Sequence, residues 1–115
     1  MNKDKDEIKN NENKKYRVMI NGRNFLIDIG SGLIKYGFFT TRFVEAPTPD
    51  KAELMAVESI RQWGEIITRI KNKKDDPPML YAEEIVELRT FDGINRGVEK
   101  GASWYPEKEN EYENV

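Results

Sequence analysis

The chain has 115 residues, with 19 Lys and Arg against 21 Asp and Glu, and it contains neither Cys nor His. That length holds one domain. The missing residue types exclude a disulfide framework, a thiolate nucleophile, the usual zinc sites and imidazole acid–base chemistry.

Residues 1–15, MNKDKDEIKNNENKK, carry Ile8 as their one strongly apolar side chain beyond Met1. Such a segment buries too little surface to offset the entropy of ordering it, which predicts a disordered N-terminal tail. Residues 107–115, EKENEYENV, predict a disordered acidic C-terminal tail in the same way. A single α+β domain is expected over residues 16–106. That stretch holds 13 basic and 13 acidic residues. A balanced core without a basic stripe argues against a nucleic-acid partner, because phosphate neutralisation supplies most of such affinity. No signal-peptide apolar region is present and no apolar run approaches membrane-spanning length, so the expected setting is cytoplasmic, with no membrane partner.

The first apolar stretch reads as strands. Tyr16, Val18 and Ile20 alternate with Arg17, Met19 and Asn21, and Phe25, Ile27 and Ile29 alternate with Leu26 and Asp28. Period-two patterns rich in β-branched and aromatic residues favour a pleated surface. Asn21-Gly22 fits either a two-residue hairpin turn or a bulge in one long strand. Gly30-Ser31-Gly32 is a firmer turn, and a last strand of this meander is expected from about Ile34 to Glu45.

A helix follows. Thr48 suits an N-cap, Pro49 the first helical position and Asp50 the positive end of the dipole. Ala52, Ala56, Ile60, Trp63, Ile67 and Ile70 form one apolar stripe at steps of three and four. Gly64 weakens the middle by about 1 kcal/mol relative to Ala and marks a kink or a close contact. The helix ends in KNKKDDPP, since a Pro pair cannot continue it. MLYAEEIVELRTF then reads as a strand, with Tyr81, Ile85 and Phe91 on one face and Ala82, Val86 and Leu88 largely on the other. Its alternation is imperfect, which suggests a bulge or cover on both faces. DGINRGVEKGA is a Gly-rich loop, and ASWYPE is a short edge strand stopped by Pro106. The predicted fold is α+β: a mainly antiparallel sheet of four to five strands in the order β-β-β-α-β-β, with one long helix across one face.

GFFTTRFVEA (residues 37–46), the A-E-x-x-A helix start in KAELMA and the later DDPPMLYAEEI resemble a group of small uncharacterised bacterial proteins over residues 16–106. That resemblance implies the fold and its boundaries and carries no activity. The A-x-x-P-x-x-A entry from strands into one helix is similar to antitoxin modules of the HicB type, which share a β-rich α+β sheet. The present chain lacks their usual first-strand pattern and shows no DNA-binding segment after the sheet.

Few residues suggest catalysis. Glu83 and Glu87 would lie about 13 Å apart along a strand, too far to share one ion unaided. Asp75-Asp76-Pro77-Pro78 reads as a stiff loop, GSG is not followed by a helix, and Ser31, Ser59 and Ser103 have no His partner. No catalytic residue, metal or cofactor is assigned. In GFFTTRF, Phe39, Thr41, Phe43 and Glu45 share one strand face, and Phe38, Thr40, Arg42 and Val44 the other. Arg42 beside Thr40 and Phe38 suits an anion or carboxylate, or else pairs with Glu84 or another strand acid. Spare aromatics, among them Tyr36, Tyr81, Trp104 and Tyr105, exceed what one small core requires and point to an interface. The expected function is a non-enzymatic interaction module, immunity- or antitoxin-like, that binds a protein partner or a second copy through its open sheet face or an edge strand. The candidate surface is Phe38, Thr40, Arg42, Tyr81 and Trp104. The rivals are a nucleic-acid module using Arg17, Arg23, Arg42 and Arg89 with sheet aromatics, and a carboxylate-dependent metal enzyme.

Overall fold

A computed structural model describes residues 12–94 and 101–107. Both expected tails fall largely outside those residues. The elements are β1 (Lys14–Asp28), β2 (Leu33–Ala46), α1 (Pro49–Arg61), α2 (Gly64–Ile67), β3 (Met79–Leu88) and β4 (Ala102–Pro106). Every strand pairing is antiparallel, and the sheet order is β3-β1-β2-β4. The fold is therefore a small α+β domain with a four-stranded antiparallel sheet among the described residues. Two strands precede the helices, where three were expected. No helix among the described residues is long and apolar enough to cross a membrane.

The difference arises at Asn21-Gly22, which lies inside β1. The register slips between Gly22 and Phe25, opposite Phe38 and Tyr36, and Asn24 takes a φ of 62°. One extra residue is thereby absorbed as a bulge. It carries the inward-facing positions from even (Tyr16, Val18, Ile20) to odd (Phe25, Ile27) without changing face, and all five side chains are buried. β2 keeps even positions inward throughout, so only a bulged β1 can match it over its length.

Polar contacts secure the bulge from three sides. The Asn24 backbone N–H donates to the Glu107 carboxylate at 2.8 Å, just beyond β4. Its side-chain amide donates to Asp76 Oδ1 at 2.8 Å and to the Pro77 carbonyl at 3.1 Å. Asn72 accepts from Leu26 N at 2.9 Å and donates to the Asn24 carbonyl at 2.9 Å. The loop before β3 is thus fixed to the bulge by amide groups rather than by apolar packing.

The helix begins as its sequence predicts. Thr48 Oγ1 accepts from Lys51 N at 3.2 Å and Pro49 opens the first turn. Ala52, Ala56 and Ile60 are buried against the sheet, where small side chains let the helix come close. The expected single long helix is broken at Gln62 and Trp63, and α2 restarts at Gly64. The break shifts the helical phase by one residue. Ile66 is consequently buried, whereas Ile67 of the expected stripe is exposed. Open space surrounds the Gly64 Cα, so this glycine marks the break and not a close contact.

β3 carries its own bulge: Met19 pairs with Glu84 and Ile20 with Ala82, leaving Glu83 as the extra residue. Leu80, Ala82 and Ile85 therefore pack toward the core, and Tyr81 shares the opposite face with Val86 and Leu88. This corrects the expected grouping of Tyr81 with Ile85.

A Cβ at Gly22 would overlap the ring of fully buried Phe38, which has no room to yield. Gly22→Ala should cost about 1–3 kcal/mol through overpacking. Gly64→Ala, which meets nothing, should be neutral or stabilising by up to about 1 kcal/mol. Urea unfolding of the two variants checks both signs.

Candidate functional site

The stretch GFFTTRF lies in β2, and its two faces have different chemistry. The even face turns to the helices. Phe38 is 0 % exposed, Thr40 3 % and Arg42 8 %. Phe38 stacks against Phe25 at 5.1 Å and Trp104 at 4.8 Å between ring centroids.

Arg42 is the one charged residue in the buried set, and burial pulls its pKa below the usual arginine value. It remains a cation at neutral pH, so its donors must be met. Nη1 donates to Thr40 Oγ1 at 2.7 Å and to the Thr41 carbonyl at 3.2 Å, and Nε donates to Ser59 Oγ on α1 at 3.1 Å. Both hydroxyls pass the chain onward: Thr40 donates to the Gly101 carbonyl at 2.7 Å and Ser59 to the Ala56 carbonyl at 2.7 Å. The guanidinium also lies 4.9 Å from the Trp63 ring centre. Arg42 therefore ties β2 to α1, to the helix break and to the residue before β4.

The residues of the expected binding surface are divided between the two faces of the sheet. Phe38, Thr40 and Arg42 are buried, and Trp104 stands beside Phe38 on the same helix-facing side. Tyr81 lies on the other face, opposite Asn21 and in line with Phe39. The five residues do not form one surface. Glu84 is not the partner of Arg42 either. It sits on the far face, 3.7 Å from Arg17.

Among the described residues, no helix lies over the odd face of β2. Phe39 and Tyr81 are 43 % and 42 % exposed, and Met19, Thr41, Phe43 and Val86 fill the rows between and beside them. Tyr105 borders this face. Its ring covers Gly37, lies 5.7 Å from Phe39, and its hydroxyl accepts from Asn21 Nδ2 at 3.0 Å. At the other end Phe43 meets Phe91 edge-on at 6.1 Å, with Lys15 Nζ 5.9 Å above the Phe91 ring. A shallow depression of about 450 Å³ opens between Met19, Phe39, Thr41 and Ser103. Among the described residues, no group of three or more acidic side chains converges as a metal site would require.

Sequence reasoning left the sidedness of β2 open and missed Met19 and Phe43 as surface residues.

The chain matches no family model, no curated protein and no solved structure.

Arg42→Ala should destabilise the domain by about 2–4 kcal/mol, since it strips charge-assisted hydrogen bonds from the buried Thr40 hydroxyl and from Ser59. Arg42→Lys should not restore it, because an ammonium cannot reproduce the planar fork. Arg17→Ala removes a solvent-exposed ion pair and should change stability by about 1 kcal/mol or less. Chemical denaturation of the three variants separates these outcomes.

Proposed function

We propose that this protein is a non-enzymatic interaction module that binds a protein partner, or a second copy of itself, through the uncovered face of its sheet. The observation that supports this reading most is the pair Phe39 and Tyr81, large exposed aromatics in one cross-strand row on either side of Asn21, with Met19 and Phe43 on the same face. Exposed aromatic area is a mark of protein interfaces. Lys15, Arg17, Glu45 and Glu84, two of each sign, share this face, with Arg17 between Phe43 and Val86. Such charges favour register and partner choice more than affinity.

An immunity- or antitoxin-like role is one form of this function. The nucleic-acid alternative loses part of its support, because Arg42 is enclosed and Arg17 already faces Glu84. The edge strands are the weaker docking elements. β3 carries Glu83, Glu84 and Glu87 along with a bulge, features that discourage strand addition. β4 covers the outer edge of β2 from Tyr36 to Thr40.

The test is the double variant Phe39→Ser/Tyr81→Ser. It should keep its stability to within about 1 kcal/mol, as exposed substitutions usually do. It should lose association in sedimentation velocity across a concentration series, or lose the protein captured by the wild type from lysate. Unchanged association with an intact fold would contradict the proposal. Capture that disappears with added salt and nuclease would favour nucleic acid.

A further inference from the structure

On the helix side a cleft of about 280 Å³ opens between α2, the end of β1 and β4. It is a separate feature from the uncovered sheet face. Its volume is just below the range of roughly 300–1,000 Å³ usual for small-molecule sites, which limits an occupant to a small metabolite. Both tryptophans of the chain, Trp63 and Trp104, line it together with Tyr36. Tyr36 and Trp104 meet edge to face at 6.1 Å, forming two walls of a corner. Ile27 and Ile66 form an apolar floor, and Glu65 and Arg69 complete the lining. Glu65 and Arg69 are exposed and four residues apart, yet neither takes part in an ion pair among the described residues.

We infer that this cleft binds a small zwitterion that carries an alkylated ammonium group at one end and a carboxylate at the other. An alkylated ammonium is a weakly hydrated cation, and aromatic corners backed by a carboxylate attract it through the ring quadrupole. Trp63 already has Arg42 4.9 Å from its ring, and Arg42 lines the neighbouring groove, not this cleft. Trp63 is therefore a wall between the two cavities, and Trp104 with Tyr36 is the platform for the cation. Glu65 supplies the negative charge near it. Arg69 would repel a simple cation but fits a carboxylate, as guanidinium groups do. The opposite charges of Glu65 and Arg69 thus select a ligand bearing both signs.

Tryptophan fluorescence of the full chain tests this directly, because both indoles border the cleft. The probes are glycine betaine, choline and tert-butylacetate, which share an alkyl-capped end and carry both charges, the cation only, or the anion only. Glycine betaine should give a saturable change and bind roughly tenfold tighter than tert-butylacetate. Glu65→Gln should weaken glycine betaine and choline and leave tert-butylacetate unchanged. Arg69→Gln should weaken glycine betaine and tert-butylacetate. Trp104→Leu should abolish binding in a variant that circular dichroism shows to be folded, although it loses the ring contact with Phe38. The inference is overturned if the folded wild type shows no saturable response to any probe at millimolar concentration. It is equally overturned if tert-butylacetate binds as well as glycine betaine, or if Glu65→Gln leaves all three unchanged.

Discussion

A cation buried between a sheet and a helix governs this domain. Arg42 sits in the middle of β2 with its guanidinium under the helix break. Removing such a group from water is costly unless its donors are met, and here Nε and Nη1 donate to Ser59, Thr40 and Thr41. Each partner belongs to a different constraint. Thr40 donates its hydroxyl hydrogen bond to the Gly101 carbonyl and so helps fix where β4 begins. Ser59 fixes the rotation of α1, and Trp63 covers the guanidinium where the helix chain turns. At the helix interruption an indole lies over the cation, 4.9 Å from ring centre to guanidinium.

Once Arg42 faces inward, the alternation of β2 determines the rest. Phe38 and Thr40 are sealed beside it, and Phe39, Thr41 and Phe43 must face away. The bulges at Asn24 and Glu83 keep β1 and β3 in step with that alternation. Among the described residues the helices cover one side of the sheet, and the face they leave open is aromatic. The proposed interaction function therefore rests on the opposite side of the strand from the residues that make its sequence distinctive.

Much of this was legible in the residues. Thr48-Pro49-Asp50 announced the helix start and Gly30-Ser31-Gly32 the turn, while the faltering alternation of MLYAEEIVEL fitted either a bulge or cover on both faces and did not locate one. The change from even to odd apolar positions between Ile20 and Phe25 carried the information for one long strand. A hairpin explains the same change locally, and only the uninterrupted even pattern of the partner strand favours the bulge. The site was harder to read. An alternating strand with aromatics on both sides does not declare which side is buried, and a lone Arg suggests a ligand contact more readily than a core latch. Tyr81 could not be placed because an unseen bulge at Glu83 reverses the faces of β3. The phase change after Trp63 likewise moved burial from Ile67 to Ile66, because stripe counting assumes an unbroken helix.

The central claim is that one face of β2 is closed around Arg42 and the other is bare. A chain with no cysteine allows this to be measured without background. Single substitutions Thr40→Cys and Phe39→Cys, one residue apart, would be labelled with a thiol reagent under native conditions at low protein concentration. The account predicts rapid labelling for Phe39→Cys and protection for Thr40→Cys down to the rate of unfolding. Equal labelling of the two positions, or the reverse order, in variants that remain folded would contradict it.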